Sequence, residues 1–468
     1  MKPFLASARA DPSWAAFLAF AFLSCVSMPL ARVALVASLA LGLASPTRRR
    51  SFRLTAPTVG WLVYLAVAIA VSAAAWALIE DPLLAPGRGF SKLPKLLWYA
   101  AIPLAVMQVD TRPRLVATLR ALVAGCAVTA AWVLVANPLL AQFQMVFPTD
   151  AQAAAGTASP AGAFLHESLR WIGTRLHWDA IDAVNRWIYT NGRAATWSQA
   201  LVKLGTMQDA QRFMVAVPAA LCLLVESLHA PDRRARARDF LLLLLLAAGL
   251  VLTCKRGPLL ACGAVCFAFL LSRLRWWKAA LLVALLAGAC AALPQARARF
   301  AQLPDEFLLR KGGRSLMWTR IVPELHREHP WGIGFRSLTW NKMFDIDMHT
   351  ELNQNHVHSV PLQSFVDFGW AGLAAWALWM GLAARTGRRF ARRSRRPAPG
   401  SSLPETACFA APPAMFAALA LYGLVEYNLA DSEIVLLYAL AMGLSGPSLL
   451  RSAPDPAAQR PPPALPAG

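Results

Sequence analysis

Ala56 to Ile79 reads APTVGWLVYLAVAIAVSAAAWALI, an uncharged apolar stretch whose reading decides the fold. A helix rises about 1.5 Å per residue, so about 20 such residues cross a hydrocarbon layer roughly 30 Å thick. Outward from this stretch, apolar runs recur near 13–30, 33–46, 95–109, 114–139, 213–228, 239–254, 257–272, 278–294, 359–384, 407–428 and 432–450. Together they make twelve. Over its 468 residues the chain is 57% hydrophobic and only 15% charged, and its mean hydropathy of +0.45 exceeds that of soluble domains. Twelve spans take roughly 240 residues, which leaves no room for a large soluble domain. The expected fold is an all-α integral membrane protein with about 12 transmembrane helices and two long outer segments carrying short helices.

The net charge of +21 would suggest nucleic acid in a soluble protein. Here the arginines lie in short clusters between apolar runs, so they read as topology signals and no nucleic-acid partner is expected. With both termini inside, the short inner segments hold 24 Lys and Arg, including Arg48, Arg49, Arg50, Arg112, Arg114, Arg233, Arg234 and the cluster from Arg385 to Arg396. The short outer loops hold 6: Arg32, Arg88, Lys92, Lys95, Lys255 and Arg256. That bias sets the orientation. The run 13–30 lacks a small-residue cleavage pattern and reads as a retained first helix. The eight cysteines fall in or at the ends of apolar runs, with neither disulfide nor zinc spacing, and Cys262 and Cys266 share a helix face as packing residues.

This orientation divides the chain into a bundle of helices 1–5 (1–139), an outer segment (140–212), helices 6–9 (213–294), a large outer loop (295–358), helices 10–12 (359–450) and a flexible inner tail (451–468). Segment 165–189 spaces Leu169, Ile172, Leu176, Ile181, Val184 and Ile188 at near-helical intervals, with Trp171, Trp178 and Trp187 among charges. It reads either as an interfacial amphipathic helix or as a helix packed on the other outer segment.

Ionisable groups at helix ends are expensive to hold there and form the list of candidate site residues. Arg212 opens the sixth helix, Arg256 sits in the turn joining the seventh and eighth, and His358 opens the tenth. All three face the same water layer in this topology. A guanidinium forks onto phosphate oxygens, and a histidine exchanges a proton near neutral pH. The competing reading of either arginine is a helix-end anchor snorkelling to headgroups. His356 and His358 as a pair have no third metal ligand at recognisable spacing, so no metal and no other cofactor is expected.

Two further stretches carry a resemblance. Gly313-Arg314-Ser315-Leu316-Met317-Trp318 leads to Pro330-Trp331-Gly332-Ile333-Gly334-Phe335, and His358-Ser359-Val360-Pro361-Leu362-Gln363 is followed by Gly369 and Gly372. With Lys255-Arg256-Gly257, where lysine replaces the usual serine, these are similar to the "R-x-x-x-W … P-x-x-G-x-G", "H-[NS]-x-x-L-Q … G-x-x-G" and "S-R-[GA]" stretches of the O-antigen ligase-like (Wzy C-type) family. The resemblance covers about residues 205–450.

It implies a multi-pass bacterial inner-membrane glycosyltransferase of the GT-C type, working on the periplasmic side among membrane lipids. The donor would be an undecaprenyl-pyrophosphate-linked glycan. The acceptor would be a lipid A-core sugar in a ligase of lipopolysaccharide biosynthesis, or another carrier-linked glycan in an O-antigen or exopolysaccharide polymerase. Carried over by motif, His358 is the general base, Arg256 holds the pyrophosphate, and the second family arginine is Arg212, with Arg193 as its rival. Arg314 and Trp318 mark the loop motif. Arginines binding a pyrophosphate leaving group replace a divalent cation. Direct attack inverts the anomeric centre. A covalent route would need a carboxylate, for which Asp367 and Glu426 are the nearest candidates, the latter reading as an unpaired helix-end residue. A transporter or flippase would be expected to show repeated halves and midplane charges, and neither is apparent. A scaffold would leave the large outer segment surplus.

Overall fold

The computed structural model describes residues 11–146, 167, 207–228, 232–253, 255–272, 313–350, 355–393, 407–429 and 431–445, with scattered positions between 276 and 301. The stretch 165–189, apart from Glu167, and Arg193 lie outside the described residues, and the apolar run 278–294 lies largely outside them. The described residues form helices and turns with no strand.

Four helices are long and apolar enough to cross a membrane by length and composition: Ala56–Leu78, Arg112–Leu134, Met207–Ser227 and Val360–Arg392. Five shorter apolar helices accompany them, Pro12–Val26, Met28–Ala44, Arg256–Leu271, Ala407–Gly423 and Ile434–Gly443. Several of these are short because backbone chemistry interrupts the apolar runs. The break expected near Arg32 falls instead at Ser27, because Pro29 has no N–H to continue a helix and opens a new one. Arg32 is then a helical residue rather than a loop residue, with its guanidinium 4.8 Å from the Trp98 ring centroid. Likewise the run at 95–109 is a 3-10 helix, Leu93–Ala100, followed by Ala101–Gln108.

Met207–Ser227 is the central helix and begins six residues before the apolar run. It packs against Arg112–Val146, Arg233–Leu252, Arg256–Leu271, Ala411–Gly423 and Ser432–Gly443. Its two ends, roughly 30 Å apart by helix rise, carry different polar clusters. Near Glu226, Arg112 donates to the Glu226 carboxylate at 2.8 Å, and the Cys408 backbone N–H donates to it at 2.9 Å. In a second ion cluster, Asp11 accepts from Arg48 at 2.6 Å and Arg114 at 2.9 Å, while Arg48 reaches Asp110 at 3.0 Å. Near Met207, the Tyr422 hydroxyl lies 3.1 Å from the methionine sulfur.

The loop after residue 312 builds a small second core from Leu84, Met317, Ile321, Leu325, Met343 and Val366, among others. Its helices are short: Arg314–Leu316 runs through a π turn, Met317–Ile321, into Val322–Glu328, and Trp340–Ile346 follows. The buried Lys342 ammonium pins it, 2.9 Å from Asp81 and 2.7 Å from Glu328.

Helix Val360–Arg393 is kinked at Gly369, at φ 61° and ψ −155°. The kink frees two carbonyls, and the loop fills them: Ile333 N–H donates to Val366 O at 3.1 Å and Gly334 N–H to Asp367 O at 2.8 Å. Two of the motifs read from the sequence therefore meet at one helix break. A Cβ on residue 369 would lie 2.7 Å from Pro330 O and would have to adopt a glycine conformation. Gly369→Ala is expected to cost about 2 kcal/mol or more, read as a lower Tm in detergent. An unchanged Tm would show that the kink tolerates a side chain.

Candidate active site

The backbone of His358 is held in the left-handed region, φ 48°, where few non-glycine residues sit. Its neighbours over-determine that conformation. Trp318 Nε1 donates to Val357 O at 2.8 Å, Val357 N–H donates to Gln363 Oε1 at 2.9 Å, and Gln363 Nε2 donates to Asp367 Oδ1 at 2.7 Å. Arg336 N–H takes the other Asp367 oxygen at 3.3 Å. Trp318 and Gln363, both motif residues, thus act on the loop that carries the histidine.

The ring of His358 meets Glu426, with Nδ1 2.8 Å from Oε1. Glu426 comes from the turn after Ala411–Gly423, and Arg314 anchors that turn by donating Nε–H to Val425 O at 2.9 Å. A second guanidinium nitrogen stands 3.4 Å from Glu426 Oε2. Burial alone would push the Glu426 carboxyl up, but the hydrogen bonds of His356 and His358 outweigh it and hold it well below the usual carboxylate range. An ionised carboxylate can only accept, so the ring proton of His358 sits on Nδ1 and the lone pair on Nε2. His356 flanks the pair, its Nε2 3.4 Å from Glu426 Oε1, and burial lowers its tendency to protonate.

Arg256 opens helix Arg256–Leu271, as the motif suggests. A Cβ on the next residue, Gly257, would lie 2.4 Å from the Tyr422 ring, so only glycine lets the turn approach so closely. Tyr422 also feels the charges of Glu426 and Arg314. The turn that carries Arg256 therefore packs on Tyr422, whose hydroxyl lies within the electrostatic reach of Glu426 and Arg314. Arg212 is not brought to that ring by the described contacts. Its guanidinium bonds Asp209 at 2.8 Å and faces Cys25 and Cys126, one helix face away from Met207 and Gln211. Arg193 lies outside the described residues.

Three groups escaped the sequence reading. Glu426, read as unpaired, is the hub of the site. Helix-end depth, the signal that selected the three cations, applies to it equally. Arg336 follows the glycine motif directly, and its guanidinium lies 5.9 Å from the Tyr427 ring centroid. Around Arg336 the cations are dense: burial, then Arg88, Arg336 and Lys95, push the Lys92 ammonium below its ordinary value. His356 was noted as half of a pair whose third partner was not visible.

Such a site can take a proton from a hydroxyl and hold an anion beside it. No curated protein matches the chain. Residues 241–377 match the family model described as O-Antigen ligase, a span that includes Arg256, Arg314, Trp318, Arg336 and His358. Residues 241–377 of this membrane-type helical chain are thus similar to the O-Antigen ligase family.

Proposed function

We propose that this protein transfers a glycan from undecaprenyl pyrophosphate to a lipid A-core sugar at the periplasmic face of the bacterial inner membrane. The carrying observation is the His358–Glu426 bond with Arg314 behind it. The Nε2 lone pair of His358 takes the proton of the acceptor hydroxyl. The oxygen attacks the anomeric carbon, the bond to pyrophosphate breaks, and the released charge is met by Arg256.

Inversion in one displacement is supported by the state of both carboxylates. Asp367 is buried with each oxygen already accepting a hydrogen bond, and Glu426 spends its oxygens on His358 and Arg314. Neither is poised as a nucleophile. The cations Arg88, Lys92 and Arg336 suit a substrate rich in phosphate. An apolar groove of about 490 Å³, lined by Trp376, Met380, Phe416, Ala420, Leu421 and Leu424 among others, suits a polyprenyl tail. Leu424 lies two residues before Glu426. The exposed Trp76, Trp331 and Trp370 suit an interfacial aromatic belt near that end.

The test is purified protein reconstituted with a pyrophosphate-linked glycan and two alternative acceptors, a lipid A-core and a second carrier-linked glycan. Product on the core alone is expected. Product on the carrier-linked glycan alone would make the protein a polymerase, and product on neither would overturn glycan transfer. The orientation is tested separately by cysteine labelling. Loops 229–238 and 385–397 are expected inside, and 141–211 and 295–357 outside. Labelling next to His358 from the cytoplasmic side would remove the proposed site from the compartment of its substrates.

A further inference from the structure

His356, His358 and Glu426 place one ligand atom each within 4.8 Å of one another. The sequence offered no such trio, because Glu426 arrives from 68 residues beyond His358. Tetrahedral zinc holds its nitrogen and oxygen ligands at about 2.0–2.2 Å, which puts neighbouring donors roughly 3.3 Å apart. His356 Nε2 already stands 3.4 Å from Glu426 Oε1, and His358 Nδ1 at 2.8 Å needs to widen by only a fraction of an ångström.

A second observation points to a cation here. A neutral imidazole carries one N–H, yet His356 meets oxygen on both sides, Asn355 Oδ1 at 3.0 Å from Nδ1 and Glu426 Oε1 at 3.4 Å from Nε2. One N–H can satisfy only one of these oxygens, and a metal ion at Nε2 would bond the ring nitrogen and Glu426 Oε1 together while Nδ1–H donates to Asn355. A metal-bound histidine whose other nitrogen donates to a carbonyl is the usual arrangement. Arg314 stands at Glu426 Oε2, while both imidazoles converge on Oε1, which also accepts from Tyr427 N–H at 3.2 Å, so an ion would take the place of the His358 proton there. The second possible metal cluster, Asp81, Glu328 and His329, already has the Lys342 ammonium on both carboxylates.

We infer that His356, His358 and Glu426 form an inhibitory site for a zinc-class divalent cation, and that filling it switches the base off. The proton balance supplies the mechanism. An ion on His358 Nδ1 displaces the proton there. The imidazole stays neutral by carrying its proton on Nε2, which removes the lone pair that the acceptor hydroxyl would use. With three protein ligands and guanidinium groups nearby, the site binds more weakly than a closed four-ligand structural site. The switch rests on the proposed base role of His358. The binding does not.

Co2+ and Zn2+ are the probes. Purified protein in detergent is expected to give cobalt d–d absorption that zinc abolishes, and His356→Ala or His356→Gln is expected to weaken binding by 10-fold or more. In the transfer assay, Zn2+ is expected to inhibit the parent and EDTA to restore it. Measured against each protein's own zinc-free rate, the His356 variants should need at least 10-fold more zinc for the same fractional inhibition. Equal metal affinity in parent and both variants would overturn the site, and stimulation by zinc would overturn its inhibitory role. Cobalt binding that depends on His356 in a protein with no transfer activity would keep the site and sink the glycan-transfer reading instead.

Discussion

His358→Ala is expected to lower glycan transfer by about 10²–10⁴-fold, the contribution of a positioned general base, with expression and membrane insertion unchanged. The loss should fall on kcat, because the proton moves in the transition state and donor binding rests on other groups. Glu426→Gln supplies a graded control. The amide keeps the side chain's shape but lacks the carboxylate charge that selects the Nδ1–H tautomer and stabilises the imidazolium once the proton arrives. Its rate should fall by at least about tenfold, chiefly in kcat, while the cobalt spectrum changes in parallel. Comparable transfer by His358→Ala and the parent at equal protein level would exclude the base role.

Arg256→Lys is the second large effect. A snorkelling anchor needs only a long cationic side chain, so lysine would replace it with little loss. A pyrophosphate clamp needs the planar fork, and the ammonium is a point charge. Loss of a charge-assisted pair in the transition state is worth about 2–3 kcal/mol, so transfer should fall by roughly 30- to 150-fold at constant net charge. The parent should work equally well in EDTA, since the guanidinium supplies the charge that magnesium would otherwise provide. Full activity of the lysine variant would assign Arg256 to anchoring. Activity lost in EDTA and restored by magnesium would overturn the metal-free mechanism.

The two residues differ in how visible they were before folding. Arg256 and His358 stand beside glycine, proline and glutamine in short motifs, and each begins or precedes an apolar run. Depth and chemistry alone selected them. Glu426 lies at the end of an apolar run just as His358 precedes one, but its meaning depends on the partner that the fold delivers. A carboxylate beside nothing is a helix-end residue, and the same carboxylate 2.8 Å from an imidazole is the group that sets its tautomer. Arg212 stands near the start of a helix as expected, and its guanidinium bonds Asp209 on the same helix, a pairing that sequence depth does not register.

What the sequence determined by itself is the class of solvent and the helical architecture, because burial in hydrocarbon forces the backbone to satisfy itself locally and leaves a legible run of apolar residues. Short-range backbone rules went partly with it: Pro29 was there to read, and it moved a helix boundary that charge alone had placed at Arg32. The tertiary structure decided which ends of those helices meet. Gly369 breaks a helix only because Pro330 to Phe335 supplies the missing donors, and Tyr422 becomes a shared wall only because Gly257 yields space to it. Those contacts join residues tens to hundreds apart in the chain. Their energy lies in fit and in paired polar groups, for which no local pattern of residues is a record.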